Sequence, residues 1–336
     1  MFDAIKLGRR AFLAGAVTSG AVALSSRYAF AAAEKSADAV GIWGPPVGPS
    51  IALAHLTESS AIQDAAPGSV FRVWRTPDQM RAGVASGDME ITIVPTYTGA
   101  NLFNRGLPVK MANVMTWGLL YMMSTDKAVT SLSDIGGKTI VMPFRNDMPD
   151  LVFRHILGAN GMSADKDVNI LYTATPLEAV QYLLAGRVDT AILPEPLATA
   201  SILKGLGASI AVNRVLSLQD EWGRATGRAP FIPQAGAVVS DGLLARKPDF
   251  VTTFNAQAAR STDWVNNNPA SAGRLAQDYL EIAGPVIEKS IPYSNLRVVS
   301  AADARADLEF FFETLAQQSP DIIGGKLPAD AFYLSL

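Results

Sequence analysis

The chain has 336 residues, 49% of them hydrophobic and 18% charged, with a formal net charge of −3 and no cysteine. This is the composition of a globular protein long enough for two domains, and it excludes disulfides, thiolate metal sites and a cysteine nucleophile. Two histidines, His55 and His155, leave little material for a zinc site or a His-based triad, and no basic stretch beyond the first ten residues offers nucleic acid a footprint.

The first element in chain order is the pair Arg9-Arg10 with Phe12-Leu13 behind it, then a weakly apolar Ala/Gly-rich run and small residues up to Ala33. That layout reads as a cleaved export signal of the twin-arginine type over residues 1–33, cut near Ala31 to Ala33. The apolar run falls short of the roughly 20 residues a membrane span requires, so no anchor is expected. Without residues 1–33 the chain keeps 24 basic and 30 acidic residues, a charge of −6. The expected location is a periplasm.

Two similar stretches follow, displaced by 99 positions. Thr76-Pro77 answers Thr175-Pro176, Gly87 answers Gly186, and Glu90, Ile93 and Pro95 answer Asp189, Ile192 and Pro194. The same offset carries FRVW (71–74) onto ILYT (170–173) and VGIW (40–43) onto TIVM (139–142). Each copy reads as strand, helix, strand, helix, strand, with Thr as helix N-cap, Pro at the first helical position and Gly at the end. Strands alternating with short helices predict parallel sheets built from βαβ units, and two copies predict two Rossmann-like α/β lobes. The apolar segment 108–124 reads as a strand pair crossing between lobes, and 228–240 as the return. From Asp241 onward the pattern is helical. The boundaries expected are 38–118 plus 237–336 for lobe 1 and 119–236 for lobe 2.

In parallel α/β sheets ligands bind beyond the carboxyl ends of the strands. Here those ends lead into GPPVGPS (44–50), PTYTG (95–99), PFRNDMP (143–149) and PEPLA (194–198), which would face one another across a cleft. The candidate ligand-binding residues are Trp43, Gly44, Pro45, Ser50, Thr96, Tyr97, Trp117, Arg145, Asn146 and Glu195. Trp43 ends an apolar strand, where core and cleft are both open readings, and Arg145 is either a cleft group or a solvated one. The methionines Met111, Met115, Met122 and Met123 lie in an apolar strand region and read as core. Glu195, between two prolines at the end of a buried strand, requires a partner. As the counterpart of Thr96 it is expected to face the cleft and pair with the ligand. No nucleophile elbow, zinc-protease helix, phosphate loop or dinucleotide fingerprint is present, and no metal or cofactor is expected.

These residues resemble the periplasmic substrate-binding proteins of ABC importers in the nitrate/sulfonate/taurine group, which includes binders of thiamine-pyrimidine precursors. The likeness rests on LSDIGGKTIVMP (132–143), TPLEAVQYLLAGRVDTAILPEP (175–196) and the segment 247–276, and it covers residues from about 38 to the C-terminus. It implies a type II fold, two lobes with a hinge and an interlobe cleft and a helical C-terminal segment. It further implies no catalysis, and a monomer that delivers its ligand to a permease and its ATPase. An acceptor-only carboxylate at Glu195 suits a ligand with N–H donors, sulfonate/taurine-like or aminated-pyrimidine-like. The other readings are a ligand sensor serving a membrane receptor and, more remotely, a cofactor-biosynthesis enzyme of the same fold.

Overall fold

The computed structural model describes residues 38–336, so the export signal expected over 1–33 lies outside the described residues. The chain opens with β1 (Gly41–Gly44), α1 (Gly48–Thr57), α2 (Ser60–Ala65), β2 (Val70–Val73), α3 (Pro77–Ser86), β3 (Ile91–Pro95) and α4 (Thr96–Asn104). Two strands, β4 (Val109–Met111) and β5 (Asn113–Thr116), lead to the crossing. The second copy follows as β6 (Leu120–Ser124), β7 (Thr139–Pro143), α5 (Met148–Ala159), β8 (Asn169–Thr173), α6 (Pro176–Leu184), β9 (Thr190–Pro194) and α7 (Leu197–Gly207). After β10 (Asn213–Ser217) and α8 (Leu218–Thr226), β11 (Ala235–Ser240) brings the chain back. It ends through α9 (Asp241–Arg246), α10 (Pro248–Asn267), α11 (Pro269–Leu280), α12 (Gly284–Ser290), β12 (Leu296–Ser300) and α13 (Arg305–Gln318).

Two sheets result. The first runs β12-β5-β11-β3-β1-β2, with β4 also on β11; the second runs β10-β6-β9-β7-β8. In each, three parallel strands in the order third-first-second carry an antiparallel neighbour on the third: β11 on β3 and β6 on β9. β3 and β9 are covered on both faces, which is why ITIV and TAIL are continuous apolar or Thr-bearing runs without polar alternation. The methionines Met111, Met115, Met122 and Met123 are fully buried among them.

The duplication extends to the caps. Thr76 Oγ1 accepts from Gln79 N at 3.1 Å and Thr175 Oγ1 from Glu178 N at 3.2 Å, each followed by Pro in the first turn. The pairing register changes one detail. Ile42 lies opposite Phe71 and Ile91, whereas Ile140 lies opposite Ile170 and Thr190. The second and third strands are thus 99 residues apart but the first strands only 98, so the constant offset does not hold for β1 and β7. The connection from β7 to α5 is the longer of the two, and in it Phe144 and Asn146 take positive φ values of 65° and 57°.

The sequence pattern left two strands unseen. β12 lies in the stretch read as wholly helical. It is the edge strand of its sheet, and its antiparallel pairing with β5 decides its conformation. β10 pairs with β6 through a bulge, and only Leu216 and Val215 marked it as apolar. The last long helix, α13, packs Leu308, Phe311 and Phe312 into a core shared with Val152, Phe153 and Ile156 of α5 and Trp222 of α8, while Phe312 also meets Phe332 under α4. Its end is tied to the second lobe by Gln318 Nε2 donating to Leu151 O at 2.9 Å.

Because Thr76 and Thr175 do the same work in two copies, Thr76→Ala and Thr175→Ala should each lower stability by about 1 kcal/mol. Urea unfolding of the two variants is the check, and a loss confined to one of them would show that the caps are not equivalent.

Candidate functional site: the cleft between the lobes

The carboxyl ends of β1, β3, β7 and β9 open onto a cavity of about 400 Å³ whose walls come from both sheets. Nine prolines line it: Pro45, Pro46 and Pro49 around α1, Pro77 at α3, Pro95 after β3, Pro143 and Pro149 around α5, Pro176 at α6, and Pro194 after β9. Their placement follows from local rules. A helix start tolerates Pro because its first N–H groups have no intrahelical acceptor. Each such Pro also removes one of the donors that its helix start would offer, since Pro has no N–H. Trp74, Ile93, Val94, Leu119 and Leu120 add large apolar side chains to the wall.

Three charged side chains reach the cavity: Arg75, Asp147 and Glu195. Arg75 is exposed and pairs with Glu281 at 2.9 Å. Asp147 caps α5, its Oδ1 accepting from Met148 N at 2.7 Å and, across the cleft, from Tyr97 Oη–H at 2.6 Å. Burial, then the adjacent Asp147 charge, pushes the Tyr97 phenol well above its ordinary range, so Tyr97 is a fixed donor.

Glu195 does not wait for a ligand to find its partner. Its Oε1 pairs with Arg214 Nη2, and its Oε2 accepts from Thr199 N at 3.1 Å. Arg214 also donates to Thr199 Oγ1 at 3.1 Å, and its guanidinium lies 3.5 Å from the Tyr293 ring centroid and 4.8 Å from that of Tyr121. Burial raises the Glu195 carboxyl and Arg214 opposes that rise. The expectation that the carboxylate pairs with the ligand is therefore corrected: the pairing is internal, from β10, the strand that the sequence pattern did not reveal.

Of the other residues singled out from sequence, Pro45 and Tyr97 line the cavity with Glu195. The rest lie outside its walls. Trp43 sits on the β1 face beneath the Arg72 guanidinium, 5.6 Å from its ring centroid. Gly44 gives room to Ser50, whose hydroxyl donates to Pro45 O at 2.5 Å; a Cβ at Gly44 would come within 2.3 Å of Ser50 Oγ. Thr96 Oγ1 donates to Pro233 O at 2.6 Å. Trp117 Nε1 donates to Arg297 O, and its ring meets Phe231 edge-on at 4.9 Å. Arg145 and Asn146 are exposed, the first over the Tyr172 ring and the second holding its N–H to Asp150 Oδ2 at 2.9 Å.

Reasoning from strand ends did not single out Asp147, Thr116 and Gln234, all on the cavity wall. Asp147 had a signal, as the Asp ahead of Met148-Pro149 in a helix-start position. Thr116 and Gln234 had none, because they meet only when the outgoing and returning crossings lie side by side.

Two α/β lobes with a cleft at facing strand ends define the class: the architecture of type II periplasmic binding proteins. Residues 76–279 match the NMT1-like family, and the chain belongs to that family. The bicarbonate transport ATP-binding protein CmpC of Synechocystis sp. is 23% identical over 181 residues, 51% of this chain and 27% of that protein, so the chain spans about a quarter of that relative's length. Among solved structures, an ABC transporter protein from Parabacteroides distasonis superposes with a TM-score of 0.76 at 21% identity, covering 89% of this chain and 99% of the other. The periplasmic aliphatic sulphonate binding protein SsuA of Escherichia coli gives 0.69 at 13% identity, with 89% and 93% covered. The periplasmic nitrate-binding protein NrtA of Synechocystis gives 0.57 at 12%, with 75% and 70% covered.

Arg214→Met removes the counter-charge of a buried carboxylate and should cost about 3–5 kcal/mol at neutral to mildly alkaline pH. A carboxyl whose folded value is raised binds its proton more tightly when folded, so its contribution to stability is lost as pH rises through that value. The variant's deficit should therefore shrink as the pH is lowered toward about 5. Urea unfolding at both pH values checks this, and an unchanging deficit would assign the loss to packing on Tyr293.

Proposed function

We propose that the chain is the solute-binding component of an ABC importer and that it captures a small organic ligand between its lobes. Family membership supports this reading, and so does the fold shared with proteins named for sulphonate and nitrate binding. The observation that carries it is the cavity, assembled from equivalent loops of the two copies and bridged by Tyr97 and Asp147, as a site that closes around a ligand would be. In this proposal residues 1–33 direct export to the periplasm and are removed. The mature chain is an unanchored monomer that passes its ligand, chemically unchanged, to a permease and its ATPase.

Within the ligand classes considered from sequence, the wall chemistry favours the aminated-heterocycle type over a sulfonate. An oxyanion is normally held by free N–H groups at helix starts and by cations. Here proline stands in the first turn of α1, α3, α5 and α6, and Arg75 pairs with Glu281. An apolar body fits against the prolines, Trp74 and the aliphatic residues. A donor group fits Asp147, where both bonds fall on Oδ1 and no described residue donates to Oδ2. The donor is thus assigned to Asp147 in place of Glu195.

A ligand that binds only the folded state stabilises it by about 2.7 kcal/mol at a hundredfold excess over Kd. Thermal melting with 4-aminopyrimidine, taurine, nitrate and sulfate should show a rise with the first and none with the anions. Asp147→Asn, which keeps an acceptor for Tyr97, should weaken 4-aminopyrimidine binding about tenfold. A rise with nitrate or sulfate alone would defeat the ligand assignment, and consumption of a ligand during binding would defeat the binding-protein reading.

A further inference from the structure

At the cavity floor the chain crosses twice between lobes, and the two passes are hydrogen-bonded to each other. Gln234 N donates to Thr116 O at 2.9 Å and Ile232 N to Trp117 O at 3.1 Å. Gln234 is buried, and its Oε1 accepts from Leu119 N at 3.0 Å. That bond settles the orientation of the amide: Leu119 N–H requires an acceptor, so the oxygen faces Leu119 and the NH2 group is the free end. No described residue accepts from Gln234 Nε2. Beside it, Thr116 is fully buried and its Oγ1 has no hydrogen-bond partner among the described residues. Both residues line the cavity.

A buried hydroxyl without a partner lowers stability, and native proteins hold few of them. Valine would fill the same volume beside the apolar floor at no such cost. We infer that Thr116 and Gln234 are the specificity-determining pair of the cleft, reading a hydrogen-bond acceptor on the ligand, a carbonyl oxygen or ring nitrogen, with Gln234 Nε2 as the fixed donor and the Thr116 hydroxyl as the adjustable one. The inference rests on the cleft being the binding site. It adds a second point of recognition opposite the donor-seeking Asp147, so that the ligand carries an acceptor at its inner end and a donor at its outer end. Because both residues belong to the crossing passes, the acceptor is held where the two sheets are joined.

The test uses the full chain, 4-aminopyrimidine as probe with calorimetry for affinity, and melting without probe for stability. Gln234→Glu keeps the acceptor for Leu119 N and replaces the donor with an acceptor, and it should weaken binding about tenfold or more. Thr116→Val should also weaken binding, by about fivefold or more, while melting without probe at or above the wild-type temperature, since it removes an unpaired group. A residue serving only the fold would do the reverse. A melting temperature clearly below wild type for Thr116→Val would overturn the assignment whatever the probe does. Wild-type affinity in both variants would overturn it while leaving the cleft as the binding site. Failure of the wild-type chain to bind 4-aminopyrimidine would remove the aminated-heterocycle reading and the pair together.

Discussion

The arrangement depends on one constraint: at the cavity floor two passes of chain, around residues 116–120 and 232–235, run side by side and join the two sheets. The crossing passes meet some of their N–H groups with main-chain carbonyls, and the N–H groups left over must be met by side chains. Two glutamines do this. Gln234 accepts from Leu119 N and Gln219 from Leu120 N, each at 3.0 Å. The fit around Gly118 is close: its φ is +110°, and a Cβ there would come within 2.4 Å of Gln219 Cγ. The crossing is a defined, hydrogen-bonded turn, and it fixes where the strand ends of the two copies face each other.

From that placement follows the character of the cleft. Facing helix starts ordinarily make an anion site, because unpaired N–H groups converge with the positive ends of the helices. This chain keeps the geometry and changes the chemistry by placing proline in the first turns and directing its carboxylates inward. Glu195 is neutralised by Arg214 from behind the wall, which holds a charge in an apolar setting without presenting it unpaired. What remains for a solute is an apolar box with polar groups at its ends.

The fold was legible to the extent that it is written locally. Thr-Pro helix starts, Gly stops and apolar strands repeated at one displacement were enough to predict two α/β lobes, because each signal lies within a few residues of the structure it specifies. The site was less legible because its polar groups are set by contacts between distant segments. Glu195 was recognised as a buried carboxylate in need of a partner, but Arg214 lies on a strand that pairs with β6 through a bulge and bears little apolar pattern. Thr96, Ser50 and Trp117 were sound candidates by their proximity to strand ends. Each turned out to spend its polar atom on a main-chain carbonyl, which no spacing rule reveals. Thr116 and Gln234, 118 positions apart in the chain, become neighbours only through the double crossing.

Helix α13 carries a consequence for the order in which the molecule is made. Phe153 and Trp222 are synthesised long before Phe311 and Phe312, yet the four belong to one continuous apolar core. As the chain emerges from its N-terminus, the second sheet can pair its strands but cannot cover α5 and α8 until the last helix arrives. The apolar core of this lobe is therefore complete only when residues 305–318, near the end of the chain, have joined it.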